Sequence, residues 1–184
     1  MAEYHLSLPL SAETVHKLRS GDLVYLTGCM LTGRDAAHKR LIALLDAGKP
    51  LPVDVKGQTI YYVGPAPASP GHAVGSAGPT TSYRMDAYTP QLLRLGLNCM
   101  IGKGRRSEAV RAAMREYGAV YLGAVGGAAA LIARSIEKME VLAYPDLGTE
   151  AIHRFTVRDF PAIVLMDAHG GSLYESGPAK YREE

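Results

Sequence analysis

Three segments set cations or hydroxyls beside glycine, directly after short β-like runs. Loops at the carboxyl ends of parallel strands are where α/β sheets bind ligands. The first runs from Thr27-Gly28 through Gly33-Arg34-Asp35 to His38. Asp35 suits a helix start, but Arg34 does not, because a cation at a helix N-terminus is unfavourable. Arg34 is therefore expected to have a specific partner; the plain alternative is an exposed surface arginine. His38 lies one turn into that helix and reads as a structural histidine. The second segment is Gly78-Pro79-Thr80-Thr81-Ser82-Tyr83-Arg84-Met85. Hydroxyls, helix-start N–H groups and an arginine one turn on can cradle an anion, or can simply over-supply an N-cap. The third is Ile101-Gly102-Lys103-Gly104-Arg105-Arg106-Ser107. It lacks the G-x-x-x-x-G-K-[ST] spacing of a P-loop. Its glycines would let the backbone approach a ligand while Lys103 supplies a point charge.

Together these segments offer Arg34, Arg84 and Lys103 with Thr80 and Thr81: three cations and two hydroxyls, with no matched set of carboxylates evident in the sequence. The set suits a small polyanion such as a dicarboxylate. It does not make a complete enzyme, since no Ser-His-Asp or Cys-His arrangement, trusted carboxylate pair or metal-ligand spacing accompanies it.

The elements expected to hold these segments are mixed α and β. Strands are read at Tyr4–Leu8, Leu23–Leu26, Thr59–Val63, Leu97–Ile101, Ala119–Leu122, Glu140–Tyr144, Ile152–Val157 and Ala162–Met166. Ser11 caps a short helix. A second helix starts at Asp35, repeats Ala37, Leu41, Leu44 and Leu45, and stops at Gly48 and Pro50. Gly64–Gly78 reads as a loop or a twisted hairpin. Met85–Leu95 is helical with Pro90 near its middle, which implies a kink or two short helices. Ser107–Tyr117 is a helix ending at Gly118, and Ala128–Ile136 is another. Strand and helix alternate twice between Leu97 and Tyr144, which argues for an α/β fold with a parallel βαβ core and additional strands. Residues 1–184 read as a single domain with a frayed tail from Ser176.

Composition bounds the function classes. The chain has 184 residues, 47% hydrophobic and 21% charged, as soluble globular proteins do. A net charge of +2 with one dense basic group, Lys103–Arg106, argues against nucleic acid. No apolar run approaches a membrane span, and Met1–Leu10 has no secretory pattern, so a cytoplasmic location is expected. Cys29 and Cys99 are expected to be reduced, buried core thiols, too few for a four-thiolate metal site.

The Gly-Pro-Thr-Thr-Ser-x-Arg-Met run at 78–85 and Ile101-Gly102-Lys103-Gly104 resemble the β subunit, or C-terminal domain, of the class I iron–sulfur fumarate and tartrate hydratases. So do Gly33-Arg34-Asp35-x-x-His38, Tyr117–Leu122, Gly126–Ala130 and Asp159–Ala162. The resemblance spans Leu8 to Tyr174. It implies a swivelling β/β/α domain and half of a hydro-lyase. A partner α subunit would hold a [4Fe–4S] cluster through three cysteines, and the active site would lie at the interface. It further implies reversible hydration of fumarate to L-malate, with Arg34, Thr80, Thr81, Arg84 and Lys103 contacting the substrate and Thr80 in the proton-transfer role. A threonine hydroxyl needs an activating neighbour to act as a base. Tyr144-Pro145-x-Leu147-Gly148-x-Glu150-Ala151 is similar to the fumarase branch, from which Thr149 and His153 depart. The β subunit of L(+)-tartrate dehydratase is the alternative. A non-catalytic anion-binding domain is the alternative of another class.

Overall fold

A computed structural model describes residues 1–124 and 129–179. Its strands are β1 (Glu3–Ser7), β2 (Leu23–Thr32), β3 (Thr59–Tyr61), β4 (Cys99–Gly102), β5 (Val120–Gly123), β6 (Ile136–Ala143) and β7 (Ile152–Met166). Its helices are α1 (Ala12–Lys17), α2 (Asp35–Asp46), α3 (Thr89–Arg94), α4 (Glu108–Tyr117), α5 (Ala129–Arg134) and α6 (Leu173–Ala179). Two 3-10 segments, Ser82–Met85 and Pro145–Glu150, complete the set.

The fold is α/β. Strands β1, β2, β3, β4 and β5 pair in parallel, in that order. The long β7 then runs antiparallel to β5, and also along the whole of β2. The sheet thereby closes into a ring of β2, β3, β4, β5 and β7, with β1 and β6 outside it. Side-chain alternation along the strands divides the core in two. Tyr61, Cys99, Ile101, Val120 and Leu122 join Leu26, Phe155 and Phe160 in one buried cluster. Their neighbours Ile60, Met100 and Tyr121 join Leu92, Leu93, Val110 and Met114, under α3 and α4, in the other. Strands β4 and β5 are buried throughout, as parallel strands covered on both faces must be.

Local signals hold where they are strongest. Ser11 caps α1 by accepting from the Thr14 N–H, and Ser107 caps α4 by accepting from the Val110 N–H. Met85–Leu95 divides into the first 3-10 segment and α3, with Pro90 in the first turn of α3, where its missing N–H costs nothing.

Several expectations are corrected. Thr27-Gly28 does not end a strand. β2 continues to Thr32 through a register shift at Gly28, where φ is +131° and a Cβ would stand 2.7 Å from the Leu8 carbonyl. Ile152–Val157 and Ala162–Met166 are one strand. Pro161 is tolerated inside it because it falls where β7 changes neighbours, between Val157, paired to β6, and Ile163, paired to β5. The second strand–helix alternation does not extend the parallel core, since β6 pairs antiparallel to β7. Cys29 is exposed rather than buried, because it lies on β2 outside both clusters and beside Thr156; Cys99 is buried as expected. Where fraying was expected from Ser176, α6 runs to Ala179. The Gly126-Gly127 turn lies outside the described residues.

Candidate functional site

The parallel strands β2, β3 and β4 lie side by side, so their carboxyl ends share one edge of the sheet. Hydrogen bonds carry the ladder past that edge. The Gly33 N–H donates to the Tyr61 carbonyl, that of Tyr62 to Ile101, and that of Ala124 to Gly102. The segments leaving the strands are thus fixed relative to one another.

The Gly78–Met85 segment is laid across this edge. The Thr80 N–H donates to the Tyr62 carbonyl at 2.7 Å, and the Ser82 N–H to the Lys103 carbonyl at 2.9 Å. Thr81 and Lys103 form a parallel bridge. Arg84, at the end of the 3-10 turn, reaches the first turn of α2, where its Nη2 donates to Asp35 Oδ2 at 2.9 Å. Arg34 is the N-cap residue of α2, immediately before Asp35. Its side chain lies against Gly64, where a Cβ would come within 2.6 Å of Nη1, so only glycine leaves room for the guanidinium there. These links bring all five expected residues to one edge: Arg34 directly precedes Asp35, Asp35 meets Arg84, and the Arg84 segment meets Tyr62 through Thr80 and Lys103 through Thr81. Thr80 and Thr81 are half-buried, while Arg84 and Lys103 are exposed.

The electrostatics differ from expectation in one respect. The sequence shows no carboxylates matched to these cations, yet both arginines have one. Arg34 Nη2 lies 2.9 Å from Glu150 Oε1, and Arg84 pairs with Asp35. Each pair meets through a single guanidinium nitrogen, and Arg34 Nε is buried with no partner. Lys103 enters no ion pair among the described residues. Three cations against two carboxylates leave the edge with a surplus positive charge.

Beneath this edge lies a feature that sequence reading missed. Arg106 reads as one of a basic group, but its side chain is fully buried. Nε donates to Asp86 Oδ1 at 2.7 Å and Nη2 to Thr89 Oγ1 at 2.8 Å. The guanidinium is flanked by the rings of Tyr62 and Tyr121 at 5.3 and 5.1 Å. Burial works against its charge, but Tyr62 and Asp86 outweigh it and hold its pKa above the ordinary value. Asp86 Oδ2 also accepts from the Ser107 N–H, and the Tyr121 hydroxyl donates to Ser82 Oγ or the Gly104 carbonyl. This cage ties the segments that carry Arg84 and Lys103 to the core. No local signal marks it: Asp86 and Arg106 are 20 residues apart, with α3 and β4 between them, and meet only in the tertiary structure.

His38 is buried. Its Nδ1 lies 2.8 Å from the Arg34 carbonyl, and burial lowers its pKa to about 4, so the ring is neutral at physiological pH. The backbone carbonyl fixes the proton on Nδ1 and leaves Nε2 without a partner.

An iron–sulfur cluster needs cysteine thiolates. Cys29 is exposed on β2, and Cys99 is buried on β4 with its thiol pushed up to about 12 by burial. Among the described residues no group of three or more His, Cys, Asp or Glu is arranged to hold a metal ion. These residues do not fit a cluster within this chain. Nor is any helix among them long and apolar enough to cross a membrane.

Comparison with known proteins adds relatives to this geometry. Residues 2–177 match a family model described as the fumarase C-terminus. Over 152 residues, 82% of this chain, the sequence is 47% identical to the anaerobic class I fumarate hydratase of Escherichia coli (strain K12), and covers 28% of that protein. It is 39% identical to a putative class I fumarate hydratase of Geobacillus stearothermophilus, over 92% of this chain and 33% of that one. A putative L(+)-tartrate dehydratase subunit beta of Methanocaldococcus jannaschii is 38% identical over 95% of this chain and 93% of its own. The chain thus spans about a third or less of the fumarate hydratases it matches, and nearly all of the tartrate dehydratase subunit.

Proposed function

Since the chain belongs to the fumarase C-terminus family, we propose that it is the β subunit of a class I hydro-lyase that interconverts fumarate and L-malate. A separate α subunit supplies a [4Fe–4S] cluster, which the cysteines of this chain do not fit, and this chain is inactive alone. The enzyme works in the cytoplasm. The observation that carries the reading is the convergence of Arg34, Thr80, Thr81, Arg84 and Lys103 at the carboxyl ends of β2, β3 and β4.

The chemistry suits that set. In the dehydration of malate to fumarate a proton leaves the carbon next to a carboxylate, negative charge grows on that carboxylate, and hydroxide then leaves the adjacent carbon. Cations fixed beforehand at that position stabilise the growing charge more than the ground state, and this lowers the barrier. Lys103, with no carboxylate paired to it among the described residues, is the cation best placed to meet it. Arg34 and Arg84 retain N–H donors beyond their single carboxylate contacts and orient the substrate's carboxylates. The Thr80 hydroxyl is the proton-transfer group and takes its activation from a neighbouring charge. Tyr83, 66% exposed among these residues, favours a surface that another chain covers.

The second reading is L(+)-tartrate dehydration, favoured by the subunit of matching length. The test is to co-express the chain with its cluster-bearing partner and assay fumarate, L-malate and tartrate. Fumarate–malate interconversion is expected. Turnover of tartrate with none of malate would replace the first reading with the second. A chain that recruits no partner and binds diacids without turnover would point to a non-catalytic anion-binding domain.

A further inference from the structure

Residues Pro145–Glu150 form a strap across α2, the helix whose N-cap is Arg34. One end of the strap is clamped to the helix by Arg40, which reaches Asp146 through both guanidinium nitrogens, with Nη1 2.9 Å from Oδ1. Arg40 also lies over the Tyr144 ring, 5.1 Å from its centre. Tyr144 itself takes a left-handed backbone (φ 57°), a conformation that costs energy in a non-glycine residue and here turns the chain from β6 into the strap. The other end of the strap delivers Glu150 to Arg34. The two side chains are 23% and 24% exposed, so the pair is half sheltered from water.

Arg34 is therefore held from two sides. The bare backbone of Gly64 lies against its Nη1, and the Thr149 carbonyl stands 3.5 Å from where a Gly64 Cβ would be. Glu150 holds Nη2. An arginine side chain loses rotamer entropy on being fixed, and a receptor whose arginine is already fixed does not lose it again on binding.

Building on the proposed function, we propose that Glu150 is a positioning residue for the diacid site. It sets the Arg34 guanidinium for one carboxylate of the substrate, and the Arg40–Asp146 clamp sets Glu150 in turn. Glu150 does not touch the substrate. Its effect is on fit for a two-carboxylate ligand rather than on proton transfer.

The experiment uses the chain assembled with its partner. Arg34→Ala, Glu150→Ala, Glu150→Gln and the double variant Arg34→Ala/Glu150→Ala are compared for fumarate KM and kcat and for inhibition by succinate and by butyrate. Glu150→Ala is expected to raise the fumarate KM and the succinate inhibition constant about tenfold, on the scale of a displaced binding group. It is expected to leave kcat within about threefold and butyrate inhibition unchanged. Glu150→Gln keeps an oxygen that can accept from Arg34 and falls between the wild type and the alanine variant. The double variant is no weaker than Arg34→Ala alone, because Glu150 acts through Arg34. An Arg34→Ala loss with no Glu150→Ala loss would overturn the positioning role and leave the proposed function standing. Tighter succinate binding by Glu150→Ala would also overturn it, by making Glu150 a competitor for Arg34. If Arg34→Ala changes nothing, Arg34 is no substrate contact, and both readings of it fall.

Discussion

The Arg106 cage and the Arg34–Arg84 edge use the same side chain to opposite ends. Arg106 is sealed: it gives hydrogen bonds to Asp86 and Thr89 and stacks between two tyrosines. Arg34 and Arg84 each meet a carboxylate through a single nitrogen, and both keep donors in reserve. A guanidinium has five donors in a rigid fork, and what matters is how many are already committed. A committed arginine is scaffold; one with donors free at a surface can receive an anion. The exposed Lys103 lies on the receiving side of this division, and the cage beneath keeps its segment in place.

The sharpest way to break this contrast is to remove Arg106. Arg106→Ala strands the Asp86 carboxylate and empties the space between two rings. It is expected to cost about 3–5 kcal/mol of stability, as breaking buried ion pairs does. A thermal midpoint lower by on the order of 10 °C would register this. An unchanged midpoint would mean that the cage is not scaffold. On the receiving side, Arg84→Ala or Lys103→Ala is expected to lower kcat/KM of the assembled enzyme about 100-fold or more, with the thermal midpoint preserved. Steady-state kinetics and a thermal scan on the same preparation check both halves.

A smaller effect comes from His38, which ties the Arg34 carbonyl to the core. Its folded pKa of about 4 lies below the ordinary 6.5. Between those values the unfolded chain binds the proton and the folded one does not, so stability is full above 6.5 and is lost as pH falls toward 4. The loss at pH 5 relative to neutral pH is expected to be roughly 2 kcal/mol. Denaturant titrations at the two pH values measure it, and His38→Gln should flatten that part of the profile. The smallest effect is chemical: a thiol reagent should modify Cys29 in the native chain and spare Cys99 until the chain unfolds.

What the sequence disclosed follows the range of the interactions. The Ser11 and Ser107 caps, the Gly48 stop and the parallel βαβ core rest on neighbours in sequence, and they are legible there. The residues converging at the edge are legible as well, because strand ends in a parallel sheet share one side. Glu150 and Asp86 are not, because each meets its arginine only after the chain has folded back. Pro161 misleads for a related reason. Its missing N–H ends a strand by local rules, yet β7 passes through it at the place where its neighbour changes. Residue type places Cys29 in the core, but residue type does not say which face of β2 carries it.

The central claim is that Arg34 and Arg84 receive a diacid while Arg106 supports them. Side-chain Nε–H resonances of the chain assembled with its partner, followed during titration with succinate, test it most directly. Shifts are expected at Arg34 and Arg84, with Arg106 and the exposed Arg158 unmoved. No shift at Arg34 and Arg84, or equal shifts at Arg158, would contradict it.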